Sequence, residues 1–167
     1  THKWTFRDTT QKWNHVNRGV TFWKEGKEER ILMPIGHHLY AIDAHTGQLV
    51  DSFGENGRLD LREGLPAIAK EKYVIATTPP TLFKNLIYLS VRLSEDTDAA
   101  PGDIRAFDVK TGKLVWTFHT IPHPGEEGYD SFPENAYLNT ETGAANNWSG
   151  MTIDEKRGIL FVPTGSV

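Results

Sequence analysis

The sequence predicts an all-β chain, and three observations carry that prediction. Period-2 or continuous runs of β-branched and aromatic residues recur along the 167 residues. Aromatic side chains make up 11% of the chain, with five tryptophans, and this content suits sheets better than helices. Polar or glycine-bearing turns precede the apolar runs, as is typical of strands joined in antiparallel order. We therefore expect most of the ordered chain to be strand.

Eight strands are predicted along the chain. In order they are the runs at residues 19–23, 30–35 and 39–43, the apolar stretches at 73–77 and 86–93, the pair at 104–109 and 114–119 that flanks a Thr-Gly turn, and the run at 159–164. Residues 60–72 hold at most one or two helical turns, because Gly64 and Pro66 interrupt a longer helix. Two polar segments, residues 95–103 and 122–147, are predicted to be long loops that are functional or that cap another part of the fold.

Composition and charge exclude several classes of protein. The 18 basic and 22 acidic residues give a net charge of −4, which offers no footprint for nucleic acid or for an anionic membrane surface. No stretch approaches the roughly 18 consecutive apolar residues that a membrane span requires. The lack of cysteine excludes disulfides and thiolate sites. We expect one partial domain over residues 1–167, cut from a longer protein, because the chain opens without Met and stops within a predicted strand.

An internal repeat organises the chain. Residues 41–50 (Ala-Ile-Asp-Ala-His-Thr-Gly-Gln-Leu-Val) and 106–115 (Ala-Phe-Asp-Val-Lys-Thr-Gly-Lys-Leu-Val) share six of ten residues. Each copy predicts a strand, a tight turn and a returning strand. In the turn, Gly supplies a positive φ while Asp and Thr bond the turn amides. Residues 3–6 (Lys-Trp-Thr-Phe) resemble 115–118 (Val-Trp-Thr-Phe) and so mark the end of an earlier copy.

The repeat narrows the fold class. Recurrent sheets of about four short antiparallel strands are the signature of β-propeller blades. We therefore predict a β-propeller fragment of about two to three four-stranded antiparallel blades. A β-sandwich with a chance repeat is the alternative. Because exposed blade edges invite strand pairing, such a piece is expected to self-associate or to leave part of the chain disordered.

The second copy of the repeat, from Ala106 to Trp116, resembles the tryptophan-docking motif of the quinoprotein alcohol dehydrogenases. These are eight-bladed propellers that use pyrroloquinoline quinone (PQQ), and their motif Trp packs between adjacent blades. The resemblance therefore implies that Trp116 is buried. The first copy departs from the motif, with Gln48 and Asp51 in place of Lys and Trp, and Asp51 is expected to be exposed.

Further segments match the family in the same order. Arg18, in Val-Asn-Arg-Gly-Val, resembles the Arg that grips a PQQ carboxylate, and Thr77, which opens Thr-Thr-Pro-Pro, resembles a cofactor-binding Thr. Trp148, in Asn-Trp, resembles the Trp that forms the floor under the quinone. Glu95 stands where the alcohol dehydrogenases place a calcium ligand, and Ser166 stands where they carry a metal-ligating Asn. The resemblance thus implies cofactor contacts from the first three residues and metal contacts from the last two.

The side chains suit these roles, although each has a plainer interpretation. The guanidinium of Arg18 is a planar fork for a carboxylate, or else a surface ion pair. The indole of Trp148 can stack on a planar quinone, or else pack in the core. Glu95 with Asp96 and Asp98 offers three carboxylates to a hard cation, or else a solvated loop.

Two departures from the family matter. Lys12-Trp13 stands where methanol dehydrogenases carry adjacent cysteines, which favours the sugar or glucose dehydrogenase branch. Ser166 is a poorer calcium ligand than an amide carbonyl. The family's catalytic Asp lies in a later blade, so the resemblance assigns no catalytic residue to this chain and implies that the piece alone is inactive.

The resemblance implies that the intact protein oxidises a small-molecule sugar or alcohol with PQQ and Ca²⁺, in the periplasm or after export. The resemblance further implies that a base would take the hydroxyl proton, that the quinone would accept the hydride and that Ca²⁺ would polarise the quinone carbonyl. One alternative is a non-catalytic propeller, similar to the outer-membrane assembly lipoproteins, that binds protein segments. A WD-type scaffold is the other, and the Asp-x-x-Thr-Gly turn argues against it.

Overall fold

A computed structural model describes residues 2–9, 16–96, 99–138 and 144–165. Their regular structure is twelve β-strands and three short 3₁₀ helices, with no α-helix in these ranges. The strands are β1 Thr21–Glu25, β2 Glu28–Ile35, β3 His38–Asp43, β4 Arg58–Asp60, β5 Val74–Ile75, β6 Thr81–Phe83, β7 Leu86–Tyr88, β8 Arg92–Leu93, β9 Ile104–Asp108, β10 Leu114–Phe118, β11 Thr152–Asp154 and β12 Ile159–Phe161. The 3₁₀ helices are Ala67–Glu71, Tyr129–Ser131 and Ala136–Leu138. No helix in the described ranges is long and apolar enough to cross a bilayer.

Two four-stranded antiparallel sheets form the body of the molecule. The first has the order β1-β2-β3-β4, and the second has the order β10-β9-β7-β6. Two-stranded sheets pair β5 with β8 and β11 with β12. In β2 the side chains alternate between buried and partly buried positions, as expected for a strand with one face on the core. The all-β prediction and the four-stranded, blade-like sheets are confirmed.

The core lies where the two large sheets face each other. It is built almost entirely of aliphatic and aromatic side chains, among which Leu32, Leu39, Phe53, Ile87 and Phe107 have no exposed surface. These residues come from β2, β3, β7 and β9 and from the segment after β3. Burying such side chains contributes about 1.5–3 kcal/mol each, so this core is a large source of stabilisation.

Several predicted strand boundaries are wrong. The single strand predicted over residues 86–93 is two strands, β7 and β8. Between them, Val91 N donates to Asn147 O at 2.8 Å, and Val91 O accepts from Asn146 Nδ2 at 2.6 Å. The chain therefore leaves β9 after Tyr88 and continues to β8, which pairs with β5. The sequence analysis also missed β4, β6 and β11, which are only three residues long.

The two repeated turns have the same geometry, as predicted. Asp43 Oδ1 accepts from Thr46 N at 2.7 Å and from Thr46 Oγ1 at 2.9 Å, and Asp108 Oδ1 makes both bonds with Thr111 at 2.7 Å. Gly47 and Gly112 close the turns at φ values of 75° and 69°, where glycine is favoured. Each of the two blades therefore contains a turn with the same hydrogen bonds and the same backbone conformation.

A tryptophan covers the first of these turns. Trp4 Nε1 donates to Ala44 O at 3.0 Å. The indole lies so close to Gly47 that a Cβ at this position would be 2.7 Å from two ring carbons. Trp4 thereby joins the N-terminal segment to the first blade. This is the Trp that the comparison of residues 3–6 with 115–118 marked as the end of an earlier copy of the repeat.

Different residues cover the second turn. Arg30 Nη1 donates to Val109 O at 3.1 Å, and Val109 is the repeat equivalent of Ala44. Gly54 N donates to Thr111 O at 2.9 Å, and the Phe53 ring lies beside Gly112. We call this arrangement of Arg30, Phe53 and Gly54 the Arg30 clamp. The Arg30 clamp joins the first blade to the second. The first copy of the repeat has Asp51 in place of the Trp that the motif would supply for this junction.

The prediction that Trp116 is buried between blades is wrong in this structure. Its side chain is 38% exposed, and its ring centroid lies 5.7 Å from that of Tyr88. The two turns of the repeat are already covered, one by Trp4 and the other by the Arg30 clamp. A third turn runs from Asp154 to Gly158, and a Cβ at Gly158 would meet nothing within 4 Å, so Trp116 does not pack on that turn either. Asp51 is exposed, as expected.

Candidate functional site

Arg18 and Thr77 form the centre of the candidate site. Arg18 Nη1 donates to Thr77 Oγ1 at 3.2 Å, and Arg18 N donates to Thr77 O at 2.9 Å. Arg18 is exposed, whereas Thr77 is only 5% exposed. The structure therefore places a guanidinium that solutes can reach over a buried hydroxyl, although the two residues are 59 positions apart in sequence.

The segment before β1 holds Arg18 in this position. Asn17 Oδ1 accepts from Gly19 N at 2.7 Å, and Asn17 Nδ2 donates to Pro34 O at 2.7 Å. Gly19 has φ 137°, and a Cβ here would lie 3.2 Å from Pro79 Cγ. A residue with a side chain would therefore strain the backbone and crowd the Thr-Thr-Pro-Pro segment.

Trp148 is tied to the same Thr-Thr-Pro-Pro segment. Thr78 Oγ1 donates to Trp148 O at 2.9 Å, and Thr78 directly follows Thr77. The Trp148 side chain is 51% exposed, so its indole is not a core residue. The structure thus connects Arg18, Thr77 and Trp148 through one short segment. We call these three residues the Arg–Thr–Trp cluster.

The residues proposed as metal ligands do not form a metal site in the described chain. The Glu95 side chain is 93% exposed, and its nearest cation is Arg92, with Nη2 at 4.0 Å from Oε1. Ser166 lies outside the described residues. Within the described ranges, no three His, Asp or Glu residues are placed to hold one ion. One exposed carboxylate does not fit Ca²⁺, which takes six to eight oxygen ligands.

A separate cavity of about 490 Å³ lies between the segment after β4 and the loop after β10. Asp103, which is 8% exposed, contributes the buried carboxylate of its lining and accepts one long bond from Thr120 N at 3.4 Å. Burial raises the pKa of the Asp103 carboxyl. His119 and His123 stack at 3.7 Å between ring centroids on the same lining. No member of the Arg–Thr–Trp cluster lines this cavity.

The comparisons with known proteins agree with one another. The family model of the PQQ glucose/ethanol/alcohol dehydrogenase β-propeller domain matches residues 1–167. The chain belongs to this family. The quinate/shikimate dehydrogenase (quinone) of Acinetobacter baylyi is 35% identical over 130 residues, which are 77% of this chain and 16% of that protein. The quinoprotein glucose dehydrogenase of Escherichia coli is 29% identical over 173 residues, covering 94% of this chain and 21% of that enzyme.

Solved structures support the fold. A quinohemoprotein alcohol dehydrogenase of Pseudomonas putida superimposes with a TM-score of 0.64 at 24% identity, over 90% of this chain and 21% of that one. A europium-containing methanol dehydrogenase superimposes with a TM-score of 0.55 at 18% identity, over 84% of this chain and 24% of that one. The PQQ-propeller chain described here thus spans about a fifth of the length of the relatives it matches.

Some residues around the cluster were missed by sequence reasoning. Ser90 and Asn147 are buried polar side chains that hydrogen-bond each other at 2.5 Å across 57 positions of sequence. The position of Asn147 directly before Trp148 was the one available signal. Thr78 was missed because nothing in Thr-Thr-Pro-Pro distinguishes the hydroxyl that faces Arg18 from the one that faces Trp148.

Proposed function

We propose that this chain is part of the propeller of a PQQ-dependent dehydrogenase that oxidises a CH–OH group of a sugar or alcohol. The supporting observation is the Arg–Thr–Trp cluster, in which the Arg18 guanidinium bonds the Thr77 hydroxyl and the neighbouring Thr78 bonds the backbone of Trp148, whose indole is exposed. Membership of the PQQ-propeller family supplies the class of cofactor. We further propose that the intact protein works in the periplasm or after export, as the resemblance implies.

The residues of the cluster fit PQQ. This cofactor is a planar quinone with three carboxylates, so it needs cationic or hydroxyl donors at its edge and a flat apolar surface against its face. Arg18 would pair with a carboxylate through its fork of N–H donors, and Thr77 would hydrogen-bond beside it. The half-exposed indole of Trp148 would stack on the ring plane.

The chain's own part in the reaction is to bind and orient. When bound, PQQ supplies the acceptor for the hydride removed from the CH–OH carbon. Arg18 and Thr77 would fix the cofactor edge, and Trp148 would fix the ring plane and exclude water from one face. We propose that the base which takes the hydroxyl proton lies in another part of the intact dehydrogenase.

Calcium is the second proposed cofactor. Glu95 would supply one carboxylate and Ser166 one hydroxyl, while the remaining ligands would come from PQQ and from other parts of the dehydrogenase. Because the described residues alone do not fit a calcium ion, no step of the reaction is assigned to it here. Loss of calcium affinity in a Glu95→Gln variant of the complete dehydrogenase, measured by calorimetric titration, is the expected result.

The cofactor proposal is tested by equilibrium titration of PQQ into the complete dehydrogenase, followed by quenching of Trp fluorescence. Arg18→Ala and Trp148→Ala should each weaken binding. The matched control is Arg157→Ala, which removes an exposed Arg paired with Asp154 at 2.7 Å and should leave binding unchanged. Failure of the complete protein to bind PQQ, or equal binding without Arg18, would replace this proposal by the non-catalytic, protein-binding propeller.

A further inference from the structure

We propose that Asn147 is a positioning residue which, together with Ser90, fixes the direction of the Trp148 indole. The inference rests on the proposed function for what the indole binds, whereas the placement of the indole can be tested without any cofactor. Three observations carry it: the hydrogen bonds of the Asn147 side chain, the bonds of the surrounding backbone, and the contrast between a buried Asn147 and an exposed Trp148.

The Asn147 side chain uses both of its functional groups. It is 1% exposed. Its Oδ1 accepts from Ser90 Oγ at 2.5 Å, and its Nδ2 donates to Gly150 O at 3.0 Å and to Pro163 O at 2.6 Å. An amide is the side chain that can accept on one side and donate twice on the other. One residue therefore connects the segment after β7, the segment after β12 and its own loop.

The backbone on both sides of Trp148 is held as well. Asn147 O accepts from Val91 N at 2.8 Å, and Trp148 O accepts from Thr78 Oγ1 at 2.9 Å. The bond from Asn147 Nδ2 to Gly150 O closes the loop two residues beyond the indole. The peptide groups before and after Trp148 thus have fixed partners, while 51% of its side chain remains exposed.

This contrast points to positioning more than to stability alone. A buried amide stabilises a fold no better than an apolar side chain of its size, because its desolvation offsets its hydrogen bonds. Its bonds do, however, specify one arrangement of the groups they join. Stacking needs such an arrangement, since the orientation of an aromatic ring determines its contact with a planar ligand. We infer that the Asn147 bonds exist to hold the indole in the orientation that receives the quinone face.

The placement is tested first, by ¹⁹F NMR of the complete dehydrogenase labelled with 5-fluorotryptophan and free of PQQ. The Trp148 resonance is assigned by its loss in Trp148→Phe. Asn147→Ala should broaden or shift this resonance, and Ser90→Ala, which removes one bond, should do so less. The matched control is Asn85→Ala, which removes an exposed amide bonded to Glu25 and should leave the resonance unchanged. An unchanged Trp148 resonance in Asn147→Ala would overturn the inference.

The consequence for the cofactor is tested next, by PQQ titration. Asn147→Ala should weaken binding roughly three- to tenfold, about as much as Trp148→Ala does. In the Trp148→Ala background, Asn147→Ala should have no further effect, because both changes remove the same interaction. Losses that simply add would show that Asn147 acts elsewhere and would overturn the inference.

A conservative variant provides a rescue. In Asn147→Asp, an ionised carboxylate would face the Gly150 and Pro163 carbonyls, whereas a protonated one could donate to either. PQQ affinity should therefore recover as the pH falls, and a flat pH profile would contradict the proposed donor role. If the wild-type protein does not bind PQQ at all, the proposed function fails, and the ¹⁹F experiment alone decides the placement.

Discussion

Asp103 is a largely buried carboxylate. It lies at the cavity between the loops after β4 and β10, and the one hydrogen bond to its Oδ1 in the described chain is the 3.4 Å bond from Thr120 N. Burial raises its pKa above the ordinary value of 3.8, because desolvation disfavours the charged form. The nearby His119, Arg105 and His123 lower the pKa by smaller amounts and do not reverse the shift.

The raised pKa of Asp103 predicts a pH-dependent stability. Between the ordinary and the raised pKa, the folded state binds more protons than the unfolded state, so stability falls as pH rises through this window. Asp103→Asn should therefore raise the melting temperature at pH 7, and the difference should vanish near and below pH 4. Calorimetric melting over this pH range measures it, with the exposed Asp130→Asn as control. A lower melting temperature for Asp103→Asn at pH 7 would contradict the argument.

Gly47 provides a second test at the level of a single residue. Gly47→Ala and Gly26→Ala both force a side chain into the left-handed region, at φ 75° and 60°, which costs about 1–2 kcal/mol. The two positions differ in space, because a Cβ at Gly26 meets nothing within 4 Å while one at Gly47 meets the Trp4 ring at 2.7 Å. Gly47→Ala should thus destabilise more than Gly26→Ala in chemical denaturation.

The excess should depend on Trp4. In a Trp4→Ala background the two glycine substitutions should cost the same, since the ring that clashes is gone. An excess that persists without Trp4 would show that the indole does not lie on this turn.

At the level of elements, the joint between the two blades depends on a buried cation. Arg30, 5% exposed on β2, donates to Val109 O and to Lys110 O, and its guanidinium lies 5.3 Å from the centre of the Trp23 ring. Arg30→Ala should cost about 2–4 kcal/mol, because it leaves buried carbonyls without a donor. Lys24→Ala, which removes an exposed ion pair with Glu29, should change stability far less, because solvent screens the pair. Urea unfolding measures both, and equal costs would show that the clamp does not join the blades.

The same elements show what a sequence can and cannot predict. The turns at Asp43 and Asp108 were predicted because their chemistry is local, with bonds to Thr residues three positions on. The Arg30 clamp was not predicted, because its donor and acceptors are 79 and 80 positions apart and no local pattern marks the pairing.

The candidate site was also predicted only in part from the sequence. Arg18, Thr77 and Trp148 were found by resemblance, whereas the bonds that bring them together could be found only in three dimensions. The hydrogen bonds of Asn147 were not predicted, because the Asn-Trp pair in the sequence does not show that the Asn side chain is buried.

At the level of the whole molecule, β10 and β12 expose large apolar side chains. The exposed fractions are 53% for Val115, 62% for Phe118, 45% for Ile159 and 56% for Phe161. Because such strands invite association, we expect the 167-residue chain to self-associate at micromolar concentration. Phe118→Thr should reduce the association, while Ile68→Thr, at a 55% exposed position within a 3₁₀ helix, should not. Sedimentation velocity distinguishes these outcomes, and a monomeric wild-type chain would contradict the expectation.

The isolated chain should also bind PQQ more weakly than micromolar. An ion pair open to water at Arg18 contributes about 0–1 kcal/mol, and stacking on one side by Trp148 adds about 1 kcal/mol. Micromolar affinity needs roughly 8 kcal/mol. Fluorescence titration of the isolated chain beside the complete dehydrogenase tests this sum, and micromolar binding by the chain alone would show that its residues form a nearly complete site.

The Arg30 clamp affects how the blades of a propeller are recognised in a sequence. The carbonyl of the residue after the turn aspartate accepts a hydrogen bond from an indole at Ala44 and from a guanidinium at Val109. The acceptor is therefore the constant partner, and the donor can be exchanged for another N–H of different shape. A search of the sequence for docking tryptophans would miss the junction at the second turn. A search for the Asp-x-x-Thr-Gly turn would find both junctions. At these two junctions the contact between units is therefore kept by the turn carbonyl, although the group that donates to it differs.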